Sequence, residues 1–220
     1  MVRLFRYAFS IGLILLLAGC TQPPYESVCR VAVEKPGNKL SVGSGTLVGV
    51  SGDTALVLTC RHVTELEGRA CEMTWRTGEK TKGRVVEVQP ERRGNALSND
   101  LALIVCDRPA GISPVEVVKF RAEDGPFYSY GYRPEKGNVM NMLVSVSRTA
   151  REHEGLIYLS APVLPGLSGG ATCNRFDQQV GVCVAADFDM DLNGNITRIG
   201  DESWAADGEY LTEMLERYQQ

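Results

Sequence analysis

Gly166-Leu167-Ser168-Gly169-Gly170 places one serine among three glycines, late in a chain of 220 residues. Glycine accepts backbone angles that a side chain forbids, so here a hydroxyl can project while neighbouring amide N–H groups converge on one point. That is the geometry of a nucleophile beside an oxyanion hole, and equally that of an ordinary glycine-rich turn. The residues upstream decide between the two.

The chain has only two histidines that could serve as an imidazole base. His153 lies in the charged run Arg151-Glu152-His153-Glu154 and reads as surface. His62 comes three residues after the apolar run Ala55-Leu56-Val57-Leu58-Thr59, where a rigid strand hands over to a turn and a side chain can be held in place. Asp100 heads the apolar run Leu101-Ala102-Leu103-Ile104 and so enters the edge of a core. A carboxylate there can accept from one imidazole nitrogen and leave the other to take a serine proton. Asp53, Asp107 and Asp124 sit in turn-like surroundings and lack that entry.

Around these positions the pattern is one of short β-type segments, expected at 28–33, 45–50, 55–59, 83–88, 101–105, 115–119, 127–132, 140–147, 156–160, 170–173 and 180–185. Turns such as Lys35-Pro36-Gly37-Asn38 and Ser51-Gly52-Asp53 separate them. Many short strands at this spacing indicate an all-β barrel or sandwich. Only residues 207–218 follow a helical period, through Tyr210, Leu211, Met214, Leu215 and Tyr218.

The first nineteen residues read as a signal peptide, with Arg3 and Arg6 ahead of an apolar stretch from Ile11 to Leu17 that is too short to span a membrane. Leu17-Ala18-Gly19-Cys20 resembles the bacterial lipobox, which implies that Cys20 becomes the lipid-modified N-terminus and anchors the product to a membrane. Thr21 after the cysteine points, by the same resemblance, to an outer membrane facing the periplasm if the host is Gram-negative. Residues 20–27, with Pro23 and Pro24, read as a tether, and 28–220 as the folded domain. Removing residues 1–19 takes away two arginines and no acid, moving the formal charge from −4 to −6. Such an acidic export product is not a nucleic-acid binder. With Cys20 lipidated, six cysteines remain, enough for three disulfides or for buried thiols, and Cys173 and Cys183 are the one pair that could face each other across a hairpin.

Gly43-Ser44-Gly45-Thr46-Leu47-Val48, Leu58-Thr59-Cys60-Arg61-His62-Val63, Asn99-Asp100-Leu101-Ala102-Leu103 and Gly166-Leu167-Ser168-Gly169-Gly170 occur in the order His, Asp, Ser. The set resembles the chymotrypsin-like serine peptidases, within them the bacterial trypsin-like group that includes the periplasmic high-temperature-requirement proteases. The resemblance implies two antiparallel six-stranded β-barrels, divided near residues 110–125, with a C-terminal helix after them and the active site between them. It implies His62, Asp100 and Ser168 as a catalytic triad, the amides of Gly166 and Ser168 as oxyanion donors, a polypeptide substrate, and no metal or organic cofactor. Pro162 and Val163 would lie towards the base of the substrate pocket, with Val184, Ala185 and Ala186 along its wall. All five are uncharged, which favours a small or medium apolar side chain beside the cleaved bond.

Two departures matter. Leu167 stands where digestive members carry the aspartate that pairs with a freed N-terminus, so activation by zymogen cleavage is not expected. Asp189, Asp191 and Asn193 are spaced like the start of a calcium loop, but the twelfth position is Gly200 in place of a glutamate, so an acidic solvated loop is the expectation. The competing reading of the whole chain is a catalytically idle barrel pair that binds protein partners.

Overall fold

The computed structural model describes residues 22–35, 37, 39–89, 99–134, 140–162, 164, 166–190, 196–207, 212, 214–216 and 218. The signal segment and Cys20 lie outside the described residues. Six strands close a first barrel: β1 (Val28–Lys35), β2 (Lys39–Ser51), β3 (Thr54–Thr59), β4 (Ala70–Trp75), β5 (Lys80–Val88) and β6 (Ala102–Asp107), in the order β1-β2-β3-β6-β5-β4. The remaining seven are β7 (Phe127–Pro134), β8 (Met140–Ser147), β9 (Ala150–His153), β10 (Leu156–Leu159), β11 (Ala171–Cys173), β12 (Gln179–Met190) and β13 (Ile196–Asp207). They form one sheet in the order β8-β7-β11-β12-β13-β10-β9. All named strand pairs are antiparallel. The fold is the expected all-β double barrel, the second half being a curled seven-strand sheet where six strands were expected.

Burial explains the pairing. In β3 and β6 apolar side chains are buried on both faces (Val57, Leu58, Leu103 and Ile104), because one face fills the barrel and the other is covered by the rest of the molecule. A single apolar cluster runs from Val31, Leu47 and Met73 of the first barrel to Tyr132, Leu156 and Val182 of the second. Trp75 is fully buried, and its Nε1–H donates to Thr81 Oγ1 at 2.9 Å, satisfying the one polar atom that so large a side chain brings inside. Met214 and Leu215, in the described part of the expected C-terminal helix, are buried in the same cluster.

Several expectations are corrected. The segment read as a tether is part of the fold from Gln22 onward: Pro24–Ser27 forms a 3₁₀ turn, Ser27 Oγ donates to Ser113 O at 2.7 Å, and the Ser113 amide donates to Gln22 Oε1 at 2.8 Å. The strand expected at 115–119 is a linker that makes one bridge, Val117 to Gln179. β13 is a strand that the sequence pattern did not indicate: Ala205 and Ala206 are buried and Trp204 is half-buried, while its earlier residues mix charged and apolar types. In the acidic run, Asp187 to Met190 continue β12, and Asp189 is paired with Arg198 of β13. A strand pairing replaces the loop there; Asp191 to Asn195 lie outside the described residues. Cys173 faces Gln179 across the β11–β12 hairpin, while Cys183 is bonded to Gly170, so the two cysteines do not oppose each other.

Candidate active site

Antiparallel pairing of Thr59 with Ala102 sets the end of β3 beside the start of β6. His62 comes three residues after Thr59, in the single helical turn Arg61–Thr64, and Asp100 comes two residues before Ala102. Strand register alone therefore delivers the imidazole to the carboxylate. His62 Nδ1 and Asp100 Oδ2 lie 2.5 Å apart, the His62 backbone N–H donates to Asp100 Oδ1 at 2.8 Å, and the Arg61 amide donates to the Asp100 carbonyl at 3.2 Å. Because an ionised carboxylate only accepts, Nδ1 carries the hydrogen and Nε2 is left with its lone pair. The Asp100 side chain is 10% exposed and that of His62 49%, so the ring reaches from a buried anchor into solvent-accessible space.

Ser168 is brought to the same place through its backbone. The Ser44 amide of β2 donates to the Ser168 carbonyl at 2.8 Å. A Cβ on Gly43 would stand 2.6 Å from Val63 Cγ2 and 2.9 Å from the Ser168 carbonyl, so β2 lies wedged between the residue after His62 and the nucleophile loop. On the other side, the Gly169 amide donates to the Cys183 carbonyl at 2.8 Å, and Cys60 Sγ–H donates to the same oxygen at 3.0 Å.

The glycines of the loop differ in purpose. Gly166 and Gly169 have φ of 100° and 89°, angles that L side chains rarely adopt. A Cβ on Gly169 would also meet Ser44 O at 2.0 Å, and one on Gly170 would meet the Tyr130 carbonyl at 1.9 Å. Gly170 thus serves close approach and not a special φ. The Gly170 amide donates to the Leu167 carbonyl at 2.8 Å, which by trans-peptide geometry turns the Ser168 N–H the opposite way. Among the described residues, neither the Gly166 nor the Ser168 amide has an acceptor.

Leu167 is 1% exposed and packs with Cys183, Leu143 and Leu164, so its side chain anchors the loop by burial. Of the expected pocket, Pro162 is exposed and Val184 is buried in the core, while Val163 and the side chains of Ala185 and Ala186 lie outside the described residues. His153 is exposed on the β9–β10 hairpin, 3.8 Å from Glu154, away from these elements. Donor atoms of Cys60, His62 and Asp100 lie within 4.8 Å of one another, a span that metal ligands also show. Burial and the Asp100 charge push the Cys60 thiol well up, so it keeps its proton, and the three side chains are arranged for hydrogen bonding.

Sequence reasoning missed Ser44, Thr59 and Cys60 as parts of the site. A signal for the first was present: a polar residue between two glycines in a strand, Gly43-Ser44-Gly45, marks a hydroxyl that other backbone approaches closely.

A family profile described as "Trypsin-like peptidase domain" matches residues 43–182, more than half of the chain. The chain belongs to the trypsin-like peptidases. Its fold is similar to that of the solved structure "HtrA-type protease AlgW with tripeptide", with TM-score 0.62 and 19% identity over 88% of this chain and 60% of that one. It is likewise similar to "HtrA-type protease AlgW with decapeptide", with TM-score 0.60 and 18% identity over 90% and 66%. This trypsin-like peptidase therefore spans about three fifths to two thirds of the length of those structures. No curated protein sequence matches it.

Proposed function

We propose that this chain is a serine endopeptidase that cleaves polypeptides through Ser168, His62 and Asp100. The observation that carries the reading is the paired contact of Asp100 with His62, ring and backbone together, beside a loop whose serine lies against the same strand. Ser168 Oγ attacks the scissile carbonyl carbon as His62 Nε2 takes its proton, and Asp100 stabilises the imidazolium. The amides of Gly166 and Ser168 donate to the oxygen on which charge develops. Collapse breaks the C–N bond, His62 protonates the leaving amine, and an ester to Ser168 remains. A water molecule, deprotonated by His62, then releases the acid and restores the hydroxyl. Side chains, the two backbone amides and water carry every step of this sequence. The peptides named with the AlgW structures make a polypeptide substrate the natural class.

The test is labelling by a fluorophosphonate probe. Wild type is expected to label, while Ser168→Ala abolishes labelling and His62→Ala slows it at least a thousandfold, with folding retained in both. A folded wild type that does not label overturns the reading in favour of an inactive binding module.

The lipobox-like run ending at Cys20 supports placing this activity at a membrane of the cell envelope. Expressed in a bacterium fed an alkyne-tagged fatty acid, the chain should carry the tag and sediment with membranes, and Cys20→Ser should do neither. A wild-type chain found untagged in the soluble fraction removes the anchor.

A further inference from the structure

One buried residue holds the nucleophile loop from the opposite barrel, and no part of the mechanism above assigns it a task. Ser44 of β2 is fully buried, and each of its polar atoms is committed. Its Oγ–H donates to the Gly166 carbonyl at 2.7 Å, and the same Oγ accepts from the Tyr132 amide of β7 at 2.8 Å. Its amide donates to the Ser168 carbonyl at 2.8 Å, and its carbonyl accepts from Thr59 Oγ1 at 2.7 Å. A first-barrel residue thus holds the carbonyls on either side of Leu167, and through Tyr132 it is locked to the second barrel. Gly131 and Gly169 leave room for it: a Cβ on Gly131 would come within 2.8 Å of Ser44 Oγ, and one on Gly169 within 2.0 Å of Ser44 O.

We infer that Ser44 is the positioning residue that keeps the oxyanion loop in its working shape. Leu167 cannot make the ion pair to a freed N-terminus that the resemblance assigns to an aspartate at this position, so another contact must hold the loop. Gly166, at φ 100°, has no side chain to confine its rotation. The carbonyl held by Ser44 fixes the peptide plane on one side of Gly166, and φ and ψ together carry that constraint to its N–H. Removing the hydroxyl leaves the Gly166 carbonyl and the buried Tyr132 amide without partners, a cost that drives the loop to turn elsewhere for bonds. The inference rests on the reading of Ser168 as nucleophile and of the Gly166 amide as donor.

The test compares fluorophosphonate labelling rate, kcat and KM for wild type, Ser44→Ala and Thr59→Val, each normalised to the folded fraction. Complete loss of one oxyanion donor costs about a hundredfold or more. Ser44→Ala is therefore expected to slow labelling and lower kcat at least tenfold, with KM within twofold. Thr59→Val removes only the bond to the Ser44 carbonyl and is expected to slow labelling about threefold, and it alone decides the matter if Ser44→Ala does not fold. A purely structural role would lower the melting temperature and leave the normalised rates unchanged. Normalised rates within a factor of 1.5 of wild type in every folded variant overturn the assignment of Ser44. Failure of wild type to label overturns the nucleophile reading, which is a separate result.

Discussion

Both oxygens of Asp100 contact His62, one at the ring and one at the backbone N–H. The two contacts do different work, and Asp100→Asn separates them. The amide oxygen can still accept from the His62 backbone, so the melting temperature should stay within a few degrees. The amide nitrogen facing Nδ1 can only donate, which forces the ring into the other tautomer and removes the base from Nε2. By analogy with the same substitution in another serine peptidase, kcat should fall about ten-thousandfold. A loss of under tenfold, measured on a peptide substrate at pH 7–8, would remove Asp100 from the catalytic assignment. Residue-level reasoning from sequence located this pair because a histidine after one apolar strand and an aspartate before another need only one register to meet. Ser44, by contrast, earned no role from its sequence neighbours, since its four partners come from β3, β7 and the nucleophile loop.

At the level of elements, β4, β9 and β13, which mix charged with apolar residues, were not legible, whereas β8 was, although it exposes Val144 and Val146. β4, Ala70-Cys71-Glu72-Met73-Thr74-Trp75, buries Cys71, Met73 and Trp75 while Glu72 remains partly exposed, an alternation that its polar residues obscure. The 3₁₀ turn Pro24–Ser27 was hidden for a different reason: proline-containing segments read as linkers, and only tertiary contacts dock this one. The Tyr25 and Tyr130 ring centroids are 6.2 Å apart, and the Arg76 guanidinium stands 5.8 Å from the Tyr25 centroid. Arg76 also bonds Glu26 Oε1 at 2.6 Å, an exposed contact that contributes little by itself. Tyr25→Ala should therefore destabilise the fold by about 1–3 kcal/mol, mostly through lost apolar burial and ring contact. It should also expose residues 22–27 to limited proteolysis. Equal cleavage rates for the variant and wild type would show that the turn is held by Gln22 and Ser27 alone.

At the scale of the whole molecule, the six described cysteines are free thiols, five packed in the main apolar cluster and Cys183 in a smaller one with Leu167. Cys71 and Cys106 lie on either side of Gly83, two strand spacings apart, about 10 Å, which is beyond disulfide reach. Burial raises all six thiols, Cys71 to about 12 and Cys106 to about 11 from an ordinary 9.0. A thiol whose folded pKa exceeds its unfolded one binds its proton more tightly when folded. Its contribution to stability is complete below pH 9 and is lost as pH rises from there through about 11 to 12. The urea midpoint should accordingly be flat between pH 7 and 8.5 and fall steadily above pH 9. A thiol-reactive chromogen at pH 8 should leave all six untouched in the native protein and titrate them in denaturant. Rapid modification of the native protein would contradict their burial.

The strand-rich class, the order of histidine, aspartate and serine, and the glycines that let the nucleophile loop bend are all written in local pattern and residue type. Which backbone atoms meet across the barrels depends on long-range packing. Gly170 has an ordinary φ and is glycine because the Tyr130 carbonyl comes within 1.9 Å of where a Cβ would stand. The Ser44 hydroxyl acquires its partners only once β2, β7 and residues 166–168 are packed together. Such contacts join residues as far apart as Ser44 and Ser168, and no local preference encodes the distance between them.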